Sequence, residues 1–420
     1  LGTEDRPSPG PPVVSVVLPA WNSASTVGRA IESVLSQDGV ALECLVVDDG
    51  STDGTADVVG SYAARDPRVV LLRQSSNAGV SAARNRALDA ASGAWLAFLD
   101  ADDRLRPGAL AAMLAAASRD DALVVIGQRI STDGERTWVP RLYDLPDIRE
   151  PGRKSVASNP GLLSYAGPAG KLIHRSCTTG LRFEGRVLGD QPWILRALLR
   201  AGSRLVVIDA VVYEWWRPHP ARYVPTITAA RERSARLAAD AVVGALAAFE
   251  AVGGEIEVSV ETERRDPLRI AYLERLVTLD LAPQLRRALV RGDPDLSLLF
   301  DALATFLSSV PPAIVRATPV IASEVLEPPL AYWPRVPADA RAAYRDLVRA
   351  AIQADPGVTA HLGPGAALAL RSTGGLAAPP IGRAMAPLVS LWRPWARLRH
   401  LLPRLRYALQ TRAGRSIRSR

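Results

Sequence analysis

At 420 residues, with 48% hydrophobic and 22% charged side chains, the chain is long enough for two or three domains. Its globular composition excludes collagenous, low-complexity and disulfide-built architectures. The net charge of +8 belongs to the tail, because no acid follows Asp355 while eleven arginines fall between Arg371 and Arg420; a mildly acidic body with a cationic end points to a local anionic partner such as a membrane surface, with no nucleic acid expected.

Residues 1–12, LGTEDRPSPGPP, are rich in Pro and Gly and read as a disordered lead-in. They form no basic-then-apolar leader, and no uninterrupted apolar run nears the roughly 18–20 residues of a membrane span, so the chain is expected not to cross a membrane and to work in the cytoplasm. Strand-like runs then recur at Val14–Leu18, Cys44–Val47, Val69–Leu72, Trp95–Leu99 and Leu123–Ile126. Helical patterns fill the gaps: in ASTVGRAIESVLSQ, the residues Val27, Ala30, Ile31, Val34 and Leu35 share one face, and TADVVGSYAARD and VSAARNRALDAA supply the next two. Apolar strands alternating with helices predict an α/β domain with a mostly parallel sheet covered on both faces. Cys44 and Cys177 have no Cys or His companions, so neither a disulfide nor a zinc site is expected.

In such sheets ligands bind at the carboxyl ends of the strands. PAWN (19–22), DDGSTD (48–53) and DADD (100–103) fall at three of those ends. This domain is expected to span 13–222. From Tyr223 the texture turns to Ala, Leu and Arg in helical spacing, giving a helical domain over 223–355 whose helices offer a homo-oligomer contact. Residues 356–420 hold Gly/Pro linkers and an amphipathic arginine-rich end; 383–420 suit the anionic inner face of a membrane.

Each polar cluster admits two readings by itself. Asp100 and Asp102 form a D-x-D pair suited to Mg²⁺ or Mn²⁺, or else belong to a capped turn. Asp49 can accept a hydrogen bond from a base, while Ser51, Thr52 and Asp53 suit a helix start. Trp21 suits either the core or stacking on a flat ring. Arg84 is a phosphate fork or a surface charge. Asp190 opens the amphipathic run DQPWILRALLRAG, with Trp193, Ile194, Ala197 and Leu198 inward, and reads as an N-cap, a general base or both.

The order SVVLPAWN, VVDDGSTDGT, NAGVSAARN, WLAFLDADD, GKLIHRS and GRVLGDQPWILRALLRAG resembles the family 2 glycosyltransferases of the GT-A fold, over about residues 13–222. The resemblance implies a Rossmann-like domain and an inverting, metal-dependent transfer of a sugar from a nucleotide diphosphate, UDP by preference, to an acceptor hydroxyl in cell-envelope polysaccharide or glycoconjugate synthesis. It implies that Pro19, Ala20, Trp21 and Asn22 border the base, with Asp49 bonding to it. Asn77, Gly79, Arg84, Asp100, Ala101 and Asp102 would hold the ribose and diphosphate. Asp102 and Asp100 would bind Mn²⁺ or Mg²⁺, with His219 as a further candidate, and Asp190 would be the catalytic base. Lys171 and Arg175 are candidates for the acceptor side, and Asp103 for the turn. Two departures are visible: Gly189 precedes Asp190 where many members carry Glu, and Trp21 replaces Tyr or Phe.

Two other readings use the same residues. A nucleotidyl or phosphoryl transferase also carries Asp-Gly and D-x-D, but no G-x-x-x-x-G-K-[ST] loop is present. A non-catalytic scaffold that binds a sugar nucleotide or a membrane would not need Asp102 and Asp190 together.

Overall fold

The expected alternation of strand and helix takes shape in a computed structural model that describes residues 13–140, 144–185, 187–217 and 235–362. The lead-in, His219 and the 383–420 tail lie outside the described residues. The strands are β1 Val14–Ala20, β2 Leu42–Asp48, β3 Val69–Arg73, β4 Trp95–Phe98, β5 Arg104–Leu105, β6 Val124–Thr132, β7 Thr137–Trp138, β8 Gly152–Lys154, β9 Lys171–His174 and β10 Leu205–Trp216. The helices among them are α1 Val27–Leu35, α2 Thr55–Ala63, α3 Val80–Ala90, α4 Ala109–Arg119, the single turn α5 Pro146–Arg149, and α6 Asp190–Ala201.

One sheet carries the strands in the order β3-β2-β1-β4-β9-β6-β10-β5. β1, β2, β3 and β4 are parallel, as are β6 and β10. The sheet is mixed because β9 enters antiparallel between β4 and β6. Its first residue, Lys171, stands opposite Ile126, and its last, His174, stands opposite Trp95. Lys171 is therefore at the carboxyl edge of the parallel strands and Arg175 at the far edge.

Side chains that alternate along each strand supply two faces. Val14, Val16 and Leu18 of β1 and Ala97 of β4 pack with Val27, Ile31 and Val34 of α1, Val59 of α2 and Leu110 and Met113 of α4. Each Val, Leu, Ile or Met side chain among them contributes about 1.5–3 kcal/mol when fully buried. Phe98, which points the other way, meets Trp193 of α6 edge-on at 5.3 Å. α6 thus covers the face opposite α1 and α4.

The chain packs as two units: one reaches Val224 and takes in Ala247–Leu268, and the other comprises Pro225–Leu246 and Arg269 onward. A single boundary near 222 does not capture this. The helix α7 Ala235–Ser259 is divided between the two units, and α8 Thr262–Arg275 begins in the first. In the first unit Glu255 of α7 accepts hydrogen bonds from Arg196 and Arg200 of α6, at 3.2 and 3.1 Å. α7 is long and apolar enough to cross a membrane, a feature the sequence reading passed over. It nevertheless buries Val242, Ala245, Ala248, Phe249, Val252 and Ile256 within the protein.

The second unit is helical, with α9 Ala282–Arg291, α10 Leu296–Ser309, α11 Pro312–Arg316, α12 Glu327–Ala331 and α13 Ala338–Ala354. Phe300, Leu303 and Phe306 of α10 and Tyr344, Leu347 and Ala351 of α13 are buried. The Tyr344 hydroxyl donates to the Leu326 carbonyl at 2.8 Å.

Candidate active site

β1 and β2 end side by side, with Ala20 opposite Asp48. The next residue, Asp49, turns inward: its carboxylate accepts the backbone N–H groups of Ala78 and Gly79 at 2.8 and 2.9 Å and is buried. Each of its oxygens thereby helps to hold the loop ahead of α3, with one lone pair on each left for a further donor such as a base N–H. Asp48, buried like its neighbour, is the acid that lines the adjoining hollow. It accepts the Ser51 N–H at 3.1 Å, stands 3.8 Å from Arg73, and with Gly50, Ser51, Thr52, Gln74 and Ser75 lines a hollow of about 490 Å³. That volume suits a small-molecule ligand.

Pro19 and Ala20 are the last residues of β1, at the rim of this edge. Trp21 is 44% exposed, which rules out the core alternative for its ring. Asn22 ties the two loops together: its N–H donates to the Ser51 hydroxyl at 3.0 Å and its side-chain oxygen accepts the Thr52 N–H at 2.9 Å.

At the end of β4 the three carboxylates separate. Asp103 accepts the Tyr213 hydroxyl at 2.6 Å and the Trp216 N–H at 2.8 Å. It is neither a helix cap nor solvent-facing; it fastens the D-x-D loop to β10. Asp100 is half-exposed, Ala101 is buried, and the Asp100 N–H donates to the Tyr213 oxygen at 3.2 Å. Burial, reinforced by the neighbouring charge of Asp100, pushes the Asp102 carboxyl up to about 6. Asp103 is raised well above the usual carboxylate range by burial and by Asp100 and Asp102.

α3 delivers Arg84 to the same loop. Only 4% exposed, Arg84 donates to Asp100 at 3.2 Å and lies 3.6 Å from Asp190. Two acids far apart in sequence thus share one guanidinium. Asp190 is the first residue of α6, with Gly189 as its cap position and no side-chain cap bond; the N-cap reading is corrected, and its carboxylate turns to Arg84 instead.

Two side chains of α3 fix this approach. Asn85 exchanges hydrogen bonds with the Phe183 backbone at 2.8 and 2.9 Å, and the Ser81 hydroxyl donates to the Gly185 carbonyl at 2.8 Å. Phe183 stacks on Trp193 at 4.6 Å, an aromatic pair worth about 0.5–1.5 kcal/mol beyond its burial. The crowding explains Gly189: a Cβ there would come within 2.3 Å of the Glu184 carbonyl oxygen.

Lys171 is 1% exposed. Its ammonium donates to the Gly167 carbonyl at 2.6 Å and sits 3.2 Å from the Tyr165 ring centroid. Burial holds its pKa well below the usual lysine value, with Arg129 adding to the effect and Asp190 opposing it. It lies near Asp190, as a buried prop and not an open contact. Arg175 is corrected outright. Its guanidinium donates to the carbonyls of Gly93 and Ala91 at the far end of the sheet, because β9 runs antiparallel and carries it away from the site.

Asp48, Tyr213, Ser81, Asn85 and Glu255 were missed by sequence reasoning. Only Asp48 had a local signal, as the neighbour of Asp49. A metal ion would find Asp100 and Asp102, two hard oxygen donors crowded enough to raise Asp102; the described residues hold no cluster of three His, Cys, Asp or Glu. Two carboxylates fit Mg²⁺ or Mn²⁺, which commonly keep waters and substrate oxygens in their shell.

Residues 15–178 match the family described as glycosyl transferase family 2. The glycosyltransferase GlyG of Streptococcus pneumoniae is 30% identical over 219 residues, covering 49% of this chain and 71% of that protein. The succinoglycan biosynthesis protein ExoO of Rhizobium meliloti is 44% identical over 125 residues, 29% of this chain and 35% of that one. The chain spans about a third of the length of the first curated relatives it matches. Among solved structures, S. aureus TarS 1–349 aligns with a TM-score of 0.60 at 19% identity, over 80% of this chain and 90% of its own, which is a likeness of fold. The chain belongs to glycosyl transferase family 2, and its sheet domain has the GT-A fold.

Proposed function

We propose that the protein is an inverting, metal-dependent glycosyltransferase that moves a sugar from a nucleotide diphosphate, UDP by preference, to an acceptor hydroxyl in the synthesis of an envelope polysaccharide or glycoconjugate. The observation that carries this reading is Arg84, whose guanidinium joins Asp190 to Asp100 at 3.6 and 3.2 Å. A base candidate and a D-x-D acid then flank one place where a donor's anomeric carbon can lie. Relatives support the same direction: ExoO is named for succinoglycan biosynthesis, and TarS 1–349 has a structure in complex with UDP-GlcNAc.

In this reading the hollow beside Asp48 takes the base, with Trp21 at its rim. Asn77, Gly79 and Arg84 line the path to the diphosphate. Asp100 and Asp102 would hold Mn²⁺ or Mg²⁺, which supplies charge neutralisation for the departing diphosphate. Asp190 accepts the proton of the acceptor hydroxyl as that oxygen attacks the face opposite the leaving group. One displacement inverts the anomeric centre without a covalent enzyme intermediate. Lys171, buried behind the base, props the strand end beside Asp190.

The test is Asp190→Asn assayed with a panel of nucleotide sugars and Mn²⁺. Transfer should fall by on the order of 10²–10⁴ while donor binding persists; retained transfer removes the base and the reading with it.

We further propose peripheral attachment to the cytoplasmic face of a membrane through residues 383–420, on the strength of their acid-free arginine content. Equal flotation on anionic liposomes with and without that segment would refute it. The helical unit offers a surface for self-association, which sedimentation of the intact chain would detect.

A further inference from the structure

Outside the carboxylate cluster, three guanidinium groups gather where α1, β5 and the end of β10 meet. Arg29, in the first turn of α1, lies 4.5 Å from the Trp216 ring centroid, and Arg104 of β5 lies 5.9 Å from the same ring. Glu214 is the acid paired with this group, at 3.5 Å from Arg104 and 2.9 Å from Arg106. Glu214 answers one of these charges, and Asp102 and Asp103 offset Arg29 only in part. Arg29 has no hydrogen bond or ion pair of its own among the described residues, and its Nε is buried without a partner.

Cations brought together on one ring cost free energy unless an anion compensates them. Burial and the Arg104 charge both lower the Arg29 pKa, against partial compensation from Glu214, Asp102 and Asp103. Asp103 is already engaged by Tyr213 and Trp216. The scaffold holds the arrangement in spite of that cost. The Trp216 N–H is fixed to Asp103, β5 pairs with Tyr213 and Glu214, and the indole edge lies so close to Gly134 that a Cβ there would approach it to 2.8 Å. Gly134, at φ +96, also takes a backbone conformation that side chains disfavour.

We propose that Arg29 and Arg104 form a second phosphate site beside the D-x-D loop, separate from the donor site, which receives a phosphate group carried by the acceptor. Guanidinium forks present paired N–H donors at the spacing of phosphate oxygens. α1 packs on the sheet face opposite α6, whereas Arg84 and Asp190 approach from the α3 and α6 side. The donor diphosphate is served there by Arg84 and by the cation that Asp100 and Asp102 would hold. A phosphate carried by the acceptor is the anion that this second site would take. The inference rests on the glycosyl-transfer reading.

The test uses the full chain saturated with UDP and Mn²⁺, titrated by calorimetry with inorganic phosphate, glycerol phosphate and, as the uncharged control, glycerol. Both phosphates should bind and glycerol should not. Arg29→Gln should weaken phosphate binding by about tenfold or more while leaving UDP affinity unchanged, and Arg29→Lys should recover part of the loss. Equal phosphate affinity in Arg29→Gln and the parent overturns the proposal. So does a fall in UDP affinity in Arg29→Gln, which would put the cluster in the donor site. Failure of the transfer reading looks different: no nucleotide sugar would be bound or turned over by the unaltered protein.

Discussion

Asp48–Asp49 after β2 and Asp102–Asp103 after β4 are adjacent acids at the same open edge of one sheet, and within each pair the carboxylates part ways. Asp49 and Asp103 accept hydrogen bonds from distant elements, whereas Asp48, also buried, lines the hollow beside Ser51, and Asp102 is partly exposed. The pairs differ in what meets the inner acid. Asp49 finds two backbone N–H groups of the loop that opens α3, so its charge is answered by donors of the donor-side helix. Asp103 finds one phenol and one N–H from β10 and shares its surroundings with Asp100 and Asp102. The β2 end is a closed hydrogen-bond arrangement; the β4 end crowds three carboxylates that Arg84 and Arg29 answer only in part, the condition a divalent cation relieves.

The largest effect that sharpens this contrast is expected for Asp102→Ala. Metal-dependent donor binding and transfer should fall by on the order of 100-fold, read by calorimetry with and without Mn²⁺. Stability of the metal-free protein should not fall with it. A carboxyl raised to about 6 costs stability once it ionises, so that cost is absent in acid and fully present above pH 6. A clear drop in melting temperature at pH 7 would break the comparison.

Asp103→Ala should instead lower stability by about 2–4 kcal/mol, because the Tyr213 hydroxyl and Trp216 N–H lose their acceptor in a buried place. Asp103→Asn should lose less, since one acceptor oxygen remains; urea unfolding of the two variants measures the gap. At the other end, Asp49→Ala should cost about 2 kcal/mol through the freed Ala78 and Gly79 N–H groups, whereas Asp48→Ala, which frees only the Ser51 N–H, should cost about 1 kcal/mol and weaken nucleotide binding as well.

The smallest effect lies at the opposite edge of the sheet. Burial alone would raise the Glu43 carboxyl, but hydrogen bonds from Ser15, Ser92 and Gly93 outweigh it and hold its pKa below the usual value. Its contribution is therefore present above the unfolded value near 4.5 and lost as pH falls through the lower folded value. Glu43→Gln should cost about 1 kcal/mol at pH 7 and much less at pH 3, read from denaturant midpoints at the two pH values.

The sequence by itself determined β1 to β4 and the start of β6, the first three helices, α6 and the edge on which the polar clusters lie, because apolar periodicity is a local property and a parallel sheet puts its strand ends together. It also carried the family, since PAWN, DDGSTD, DADD and GDQPW keep their order along the chain. Only the tertiary structure decided the direction of each carboxylate. Which partner each of two adjacent acids finds depends on the donor across from it, Ala78 and Gly79 for Asp49, Tyr213 and Trp216 for Asp103, and those donors come from remote segments. The same reason moved Arg175 to the far edge, through the reversed entry of β9, and brought Glu255 back onto the helix that begins with Asp190.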